Sequence, residues 1–187
     1  MELRTEILQM IDRLHPTDAR EEADQAFTLQ WLRSGVEIFR REKPATPPVH
    51  LVSYFVPVDL NLGKILLVHH KKANLWLPPG GHVEWNEHPR ETVKREMLEE
   101  LSVEAGLLQE DPFFLTVTKT VNEMSSHTDV SLWHLVQGES ELKYAFDRDE
   151  FHEIRWYSYD AIPQKHVEPH LNRFMTKFSH DFREVLR

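Results

Sequence analysis

The sequence predicts an α/β fold in layers, preceded by a helical extension. Three observations support this prediction. Segments rich in Val, Leu, Tyr and Phe flank a central helical segment, a last helical segment follows the final strand candidate, and two amphipathic patterns precede a Pro-rich stretch. Strands on both sides of a helix, with a further helix returning across the sheet, are typical of layered α/β proteins.

The first 43 residues are predicted to form two helices. Until His15 and Pro16, apolar residues recur at helical spacing, namely Leu3, Ile7, Ile11 and Leu14. Asp18 and Glu21 resemble the capping box of a longer helix that we expect to reach about Arg41. Its apolar stripe has a weak point at Gly35 and comprises Ala23, Phe27, Trp31, Ile38 and Phe39. Because an isolated two-helix arm would leave this stripe in water, we expect it to pack against the rest of the chain or a second subunit.

A short, stiff linker is predicted at residues 44–48. Its prolines cannot continue a helix, since the stretch reads Lys43-Pro-Ala-Thr-Pro-Pro48. The predicted organisation is therefore a helical extension of residues 1–43, the linker, and one domain of residues 49–187.

Five strands and a closing helix are predicted within that domain. Residues 50–58 and 64–69 flank Asn61-Leu-Gly63 and should pair as a hairpin. Further strand candidates are residues 113–121, 130–137 and 151–157, and residues 168–186 are predicted to form the last helix.

A Gly-rich loop leads into the central helix. Pro78 and Pro79 interrupt any preceding strand, and Gly80-Gly81 permits positive φ and a close approach of the main chain to a ligand. Pro89 suits a first helical turn, and residues 90–101 contain neither Gly nor Pro. The sequence therefore predicts a helix of about three turns.

This helix is predicted to have a core face and an anionic face. At about 100° per residue, the core face comprises Val93, Met97, Leu98 and Leu101, and the opposite face comprises Glu96, Glu99 and Glu100. Like charges at this spacing destabilise a helix by about 0.2–0.5 kcal/mol per pair unless they are neutralised. Mg²⁺ or Mn²⁺ would neutralise them through oxygen ligands, although a Glu-rich face taken alone is usually solvated surface.

The complete spacing distinguishes these two interpretations. Gly81 is followed after five residues by Glu87, then after seven by Arg95-Glu96-Met97-Leu98-Glu99-Glu100, and Val103 closes the 23-residue run. This pattern resembles the signature of the Nudix hydrolase superfamily. One position departs from it, because Ser102 stands where the signature has Gly. Ser102 should therefore cost about 1 kcal/mol in a left-handed cap or force a different ending of the helix, so the departure concerns the cap geometry and not the carboxylates.

The resemblance implies a Nudix-type α/β/α sandwich with a mixed sheet over residues 49–187, and metal-dependent hydrolysis of a pyrophosphate bond. It implies that Mg²⁺ or Mn²⁺ is bound by the Gly80 carbonyl and the carboxylates of Glu99 and Glu100. Glu96 is expected as a further ligand or as the general base, so the catalytic candidates are Glu96, Glu99 and Glu100.

Other residues are expected to support this site. In such boxes Gly81, Glu87 and Arg95 hold the loop and helix in register, since Arg offers a forked donor to carboxylates. Family members often add an acidic residue from a later loop, and Glu150 is the best placed candidate here. A solvated acidic loop with no role in metal binding is an equally good interpretation of Glu150.

Three more residues are candidates for substrate binding. His82 follows the two glycines, His127 begins a strand with Asp129 close by, and Lys71 lies between the second strand and the glycine loop. A surface or structural role is the simpler interpretation of each.

Composition limits the classes of partner. A formal charge of −9 argues against a nucleic-acid binder that uses a broad basic surface. The chain has no Cys, which excludes disulfides, zinc-thiolate sites and thiol nucleophiles. Its charged N-terminus lacks a signal core and no run approaches the roughly 20 apolar residues of a membrane span, so we expect a cytoplasmic protein with no membrane partner.

The expected function is hydrolysis of a small nucleotide, either a nucleoside di- or triphosphate or a nucleoside diphosphate linked to another group. The substrate within that class stays open, and a homodimer is possible. One alternative is a non-catalytic Nudix domain that senses a nucleotide, although such domains usually lose box carboxylates that this chain keeps. A less favoured alternative is an enzyme similar to isopentenyl-diphosphate isomerase, whose commonest form uses a Cys that is absent here.

Overall fold

A computed structural model describes residues 2–42, 46–121 and 126–182. Its helices are α1 (Leu3–Asp12), α2 (Ala19–Arg33), α3 (Pro89–Leu101) and α4 (Leu171–Asp181). Its strands are β1 (Val49–Asp59), β2 (Lys64–His70), β3 (Leu75–Leu77), β4 (Gly80–His82), β5 (Phe114–Val121), β6 (Ser126–Gln137) and β7 (Phe151–Ser158). In the described part of the chain, no helix is long and apolar enough to span a membrane.

The strands form a mixed sheet. Their order is β3-β2-β1-β6-β5, with β4 also paired to β1 and β7 to β2. Strand β2 pairs antiparallel with β1, β3 and β7, and β5 pairs antiparallel with β6. Near the start of both β1 and β6, Thr128 donates its N–H to the carbonyl of Pro48. Near the end of both strands, Gly138 donates its N–H to the carbonyl of Val58. Strands β1 and β6 therefore run parallel. The expected α/β class with a mixed sheet and N-terminal helices is confirmed.

The chain divides into two compact units. Unit 1 comprises the described residues of Met1–Tyr54, Gly80–Val93 and Gln109–His134. Unit 2 comprises those of Phe55–Pro79, Lys94–Leu108 and Leu135–Arg187. Strands β1 and β6 and helix α3 each contribute residues to both units.

The core of unit 1 joins the N-terminal helices to the strands. Helix α1 and the segment after α2 contribute buried aliphatic and aromatic side chains, and the strands and the glycine loop contribute Leu51, Val83, Leu115, Val130 and Leu132. The predicted contact between the helical stripe and the rest of the chain is confirmed for Trp31 and Ile38, which are 8% and 0% exposed. Phe27 is 41% exposed, so for this residue only the expected contact with a second subunit stays a prediction.

Helix α2 ends eight residues before the predicted position near Arg41. Its last helical residue is Arg33, and Ser34 caps it by donating its N–H to Gln30. Gly35 then takes a φ of 78°, a left-handed conformation that a continuing helix does not allow. Ile38 and Phe39 therefore reach the core from irregular chain and not from a helix.

Unit 2 is built on the pairing of β2 with β7. Residues Ile65 to Val68 are fully buried on β2, which is paired with β7 along almost its whole length. Helix α4 adds Phe174 and Phe178 to the buried residues of this unit, and Tyr159 packs against Phe178 with ring centroids 5.0 Å apart. The predicted closing helix is confirmed over Leu171–Asp181, whereas residues 183–186 lie outside the described residues.

Two short strands were not predicted. Strands β3 and β4 contain three residues each and lie on either side of Pro78 and Pro79. The predicted hairpin between β1 and β2 is confirmed, with Val58 opposite Ile65. Strand β6 begins four residues before the predicted start at Val130. Of the predicted linker, Pro44 and Ala45 lie outside the described residues, and the division at residues 43 and 49 stays a prediction.

Candidate functional site

Helix α3 buries one of its predicted anionic residues. Val93, Met97 and Leu101 are buried as expected, but Leu98 is 58% exposed and Glu100 is only 4% exposed. The expected assignment of Leu98 to the core and of Glu100 to the opposite face is wrong. Glu100 follows Val93 by seven residues, which is about 20° short of two full turns, so it lies beside the core face. The helix thus carries a carboxylate at the edge of the apolar core.

Glu96 lies one turn before Glu100 and is also largely shielded from water. Its side chain is 13% exposed, and Arg95 donates to its Oε1 at 2.7 Å. Burial raises the pKa of Glu96, and the nearby charges of Glu99 and Glu150 raise it further, against the opposing effect of Arg95. Glu96 is therefore a stronger base than an ordinary surface glutamate.

Glu99 differs from its neighbours in exposure. Its side chain is 60% exposed, and its Oε2 lies 3.4 Å from Nη1 of Arg95. Arg95 thus contacts two of the predicted catalytic carboxylates, which fits a residue that positions them. An exposed carboxylate remains accessible to a ligand that approaches from solvent.

The loop that carries Glu150 is bonded to helix α3 through the backbone. Asp147 donates its N–H to the carbonyl of Glu100 at 2.9 Å, and Phe151 donates to the carbonyl of Asp147 at 3.0 Å. The N–H of Lys71 donates to the carbonyl of Glu150 at 2.9 Å. These bonds hold Glu150 where its charge acts on Glu96, as the pKa of Glu96 shows.

Lys71 also uses its side chain in this loop. Its ammonium group donates to the carbonyl of Arg148. Lys71 thus anchors the loop that carries Glu150, while its contact with a substrate phosphate stays a prediction.

Glu87 connects the glycine loop to the start of α3. Its Oε2 accepts the N–H of Glu84 at 3.0 Å and the hydroxyl of the buried Thr92 at 2.7 Å. The hydroxyl of Ser53 on β1 donates to the carbonyl of Pro89, the first residue of the helix. These contacts support the predicted role of Glu87 in holding loop and helix in register.

Gly80 is required by its own strand pairing. It lies opposite Tyr54 of β1 with a φ of 144°. A Cβ at this position would lie 2.2 Å from the carbonyl oxygen of Ser53 and 2.8 Å from the Cα of Tyr54. A side chain cannot fit there, because both contacts are with backbone. Close packing against β1 therefore explains why residue 80 is a glycine. Metal ligation by the Gly80 carbonyl and the supporting role of Gly81 stay predictions.

Ser102 ends helix α3 in the left-handed conformation that the box usually assigns to glycine. Its φ is 56°, and its N–H donates to the carbonyl of Leu98 at 3.1 Å. The cap geometry is therefore kept, and a non-glycine residue bears its conformational cost.

We expect Ser102→Gly to raise the free energy of unfolding by about 1 kcal/mol, since glycine adopts positive φ without the steric penalty of a Cβ. Urea denaturation of both chains measures the difference. Ser102→Ala is the matched control, because it removes the hydroxyl and keeps the Cβ. An equal gain in the alanine variant would show that the backbone conformation is not the source.

His82 and His127 belong to a cluster of histidines around Asp129 in unit 1. Nε2 of His50 lies 3.1 Å from Oδ1 of Asp129, Nε2 of His82 lies 3.9 Å from the same oxygen, and Nε2 of His127 lies 3.4 Å from Oδ2. The sequence identified His82 and His127 separately and missed His50. The signal that could have found His50 is a histidine at a fully buried position of a predicted strand.

The carboxylates of unit 2 fit a hard divalent cation. Glu96, Glu99, Glu100 and Glu150 offer only oxygen atoms, which Mg²⁺ and Mn²⁺ prefer. A carboxylate shielded from water is costly unless a proton, a cation or hydrogen-bond donors neutralise it, and burial is the main cause of the raised pKa of Glu96. The α3 glutamates do not bring three ligand atoms within 4.8 Å of one another in the described residues.

Comparison with known proteins decides the family. The NUDIX domain family matches residues 49–178, which is more than half of the chain. The chain belongs to the Nudix family. The resemblance found in the box from Gly81 to Val103 is thereby confirmed, and membership implies hydrolysis of a pyrophosphate bond.

Solved Nudix structures resemble this chain at low sequence identity. A MutT NUDIX hydrolase from Burkholderia pseudomallei has a TM-score of 0.51 and 23% identity, covering 68% of this chain and 95% of its own. A NUDIX family hydrolase from Clostridium perfringens has a TM-score of 0.52 and 24% identity, covering 73% and 95%. The dihydroneopterin triphosphate pyrophosphohydrolase of E. coli has a TM-score of 0.57 and 14% identity, covering 78% and 99%. At these identities the likeness shows the fold alone.

No curated protein matches the sequence of this chain.

Proposed function

We propose that this chain is a metal-dependent hydrolase of a pyrophosphate bond in a small nucleotide, either a nucleoside di- or triphosphate or a nucleoside diphosphate linked to another group. The observation that carries the proposal is the buried carboxylate of Glu100 on the same helix as the shielded Glu96. A solvated surface helix would expose both carboxylates. Burial of a carboxylate raises the free energy of its charged form, Arg95 offsets part of that cost at Glu96, and a bound cation would offset more.

The proposed metal ligands are the carbonyl of Gly80 and the carboxylates of Glu99, Glu100 and Glu150, with Glu96 as a further ligand or the general base. A bound Mg²⁺ or Mn²⁺ would neutralise charge on the phosphoryl oxygens and lower the pKa of its water. Glu150 is supported as a ligand from outside the box by the backbone bonds between its loop and α3. The Arg95 guanidinium holds Glu96 and Glu99 in place from the side.

Glu96 is favoured as the general base among these residues. Its raised pKa brings its affinity for a proton closer to what a base needs at neutral pH. Arg95 fixes one of its two oxygens at 2.7 Å, which leaves the other for a water molecule. Glu96 therefore both accepts a proton and orients the attacking oxygen in this proposal.

Small nucleotides are favoured over long RNA. The chain carries a formal charge of −9, which opposes binding to a polyanion along an extended surface. Nudix enzymes act on small nucleotides, which fits this charge. His82 and His127 stay candidates for substrate contact, and a cytoplasmic homodimer stays a prediction.

A panel of nucleotides tests the function. The panel comprises nucleoside di- and triphosphates, nucleotide sugars and other nucleoside diphosphate derivatives. With Mg²⁺ or Mn²⁺ present, we expect hydrolysis of the pyrophosphate bond in at least one of these compounds. We expect no hydrolysis when a chelator removes the metal. Phosphorus NMR of the products identifies the bond that breaks.

The same panel distinguishes the nucleotide-sensing alternative. A domain that only senses would bind a nucleotide, as seen by isothermal titration calorimetry, and release no product in any metal. Removal of pyrophosphate from triphosphorylated RNA, with no turnover of any small nucleotide, would contradict the substrate class but not the hydrolytic chemistry.

A further inference from the structure

Four polar side chains come together in unit 1 from three neighbouring strands. His50 lies on β1, His82 lies on β4, and His127 and Asp129 lie two residues apart on β6. Residues two apart on a strand share a face, and His82 pairs with Val52, which shares a face with His50. The sheet thus presents all four side chains together. We call them the histidine cluster.

The histidine cluster converges on one carboxylate. The three Nε2 atoms lie 3.1, 3.9 and 3.4 Å from oxygens of Asp129, in the order His50, His82 and His127. The ring centroid of His50 is 5.0 Å from that of His82 and 5.2 Å from that of His127. Within the described ranges, His50, His82 and Asp129 bring their ligand atoms within 4.8 Å of one another. This spacing suits one shared ion.

The tautomer of His50 is set by the backbone. Its Nδ1 lies 2.8 Å from the carbonyl of Pro47, which can only accept, so Nδ1 carries the hydrogen. In the neutral His50 ring, the lone pair of Nε2 then faces the carboxylate of Asp129. Two acceptors at 3.1 Å repel unless a proton or a cation lies between them. A histidine whose far nitrogen donates to a carbonyl is the usual arrangement of a metal ligand.

The carboxylate of Asp129 is also held from the neighbouring strand. Thr120 on β5 donates its hydroxyl to Oδ2 at 2.9 Å. This bond fixes the carboxylate while its two oxygens stay within 3.9 Å of the three Nε2 atoms. Neutral imidazole and ionised carboxylate are the forms that bind a metal.

We propose that His50, His82 and Asp129, with His127 as a fourth donor, form a binding site for a divalent transition metal ion of the zinc type. Imidazole nitrogen suits Zn²⁺, Co²⁺ and related ions, whereas Mg²⁺ and Ca²⁺ prefer an oxygen-only set. A single carboxylate also disfavours a hard cation, which depends on several negative oxygen ligands.

This site differs in chemistry from the glutamate site of α3. The glutamates offer oxygen alone, and the histidine cluster offers three nitrogens and one carboxylate. The side chain of His82 is 29% exposed and that of Asp129 is 19% exposed, so water can complete the coordination sphere. The proposal stands independently of the proposed hydrolysis, because it predicts binding and not turnover.

Cobalt spectroscopy of the full chain tests the site. We expect one Co²⁺ to bind with visible absorption typical of nitrogen and oxygen ligands, and Zn²⁺ to displace it. Since loss of an outer partner alone typically weakens a metal site 10–100-fold, loss of a ligand in His50→Gln or Asp129→Asn should raise the Co²⁺ Kd at least about tenfold.

Two controls separate this site from others. His152→Gln alters the pair with His69, whose rings are 4.9 Å apart, and should leave the Co²⁺ spectrum unchanged. Glu100→Gln alters the glutamate site and should also leave the spectrum unchanged. Circular dichroism confirms folding of each variant, and His127→Gln, at a more accessible position, replaces His50→Gln if that variant unfolds.

Absence of the cobalt band in the wild-type chain would overturn the proposal. An unchanged Co²⁺ affinity in folded Asp129→Asn and His127→Gln would also overturn it, because the histidine cluster would then bind no metal ion. Loss of the band in His152→Gln would assign it to the surface pair instead.

Discussion

Glu100→Gln is expected to lower kcat at least about 100-fold, which corresponds to about 2.7 kcal/mol of transition-state stabilisation. The amide keeps the size of the side chain and removes the charge that would hold Mg²⁺ or Mn²⁺. The fold should be retained, because Gln and Glu have similar helix propensities. Steady-state rates on the best substrate of the panel, together with Mn²⁺ titration, measure both effects.

Glu91→Gln is the matched control for this experiment. It makes the same chemical change in the first turn of the same helix, at an exposed position. We expect it to keep the wild-type rate and Mn²⁺ affinity. Equal rates and affinities in Glu100→Gln and the wild type would remove the main support for the metal site, whereas equal losses in both variants would point to the helix as a whole.

Ile11→Ala is expected to lower the free energy of unfolding by about 2–5 kcal/mol, the usual range for truncating a fully buried aliphatic side chain. Ile11 is 0% exposed and lies in the core of unit 1 with Leu51, Leu115 and Leu132. The substitution leaves a cavity where the N-terminal helix meets the strands. Chemical denaturation monitored by circular dichroism measures the loss.

Phe27→Ala is the contrasting variant, because the same segment was expected to bury it. Phe27 is 41% exposed, so its truncation should change the free energy of unfolding by no more than about 0.5 kcal/mol. If the Phe27 variant lost as much as the Ile11 variant, the side chain would be covered by a partner in solution. A concentration-dependent melting temperature would then identify a second copy of the chain.

The sequence predicted those elements whose signals are local. Helix α3 spans Pro89–Leu101 as expected, because Pro89 marks its start and good helix formers continue it. The hairpin of β1 and β2 followed from two apolar runs around a turn with Gly63. Both predictions depend on residues that are close along the chain.

Features that depend on pairing between distant strands were not predicted. Strand β4 has three residues, two of them Gly, and exists because its backbone pairs with β1. His50 could not be joined to Asp129 from the sequence, since the two residues are far apart along the chain and meet only through neighbouring strands. The assignment of Glu100 to the anionic face was wrong for a local reason. Around the helix axis Glu100 lies only about 20° from Val93, so it belongs beside the core face.

The loop that presents Glu150 is fastened by main-chain groups at Glu100, Asp147 and Lys71, together with the side-chain ammonium of Lys71. Main-chain bonds do not depend on which side chains the loop carries, with proline at position 147 as the exception because it lacks an N–H. Substitution of the other side chains of this loop should therefore leave the backbone position of Glu150 unchanged, so the loop can vary in sequence without displacing that residue.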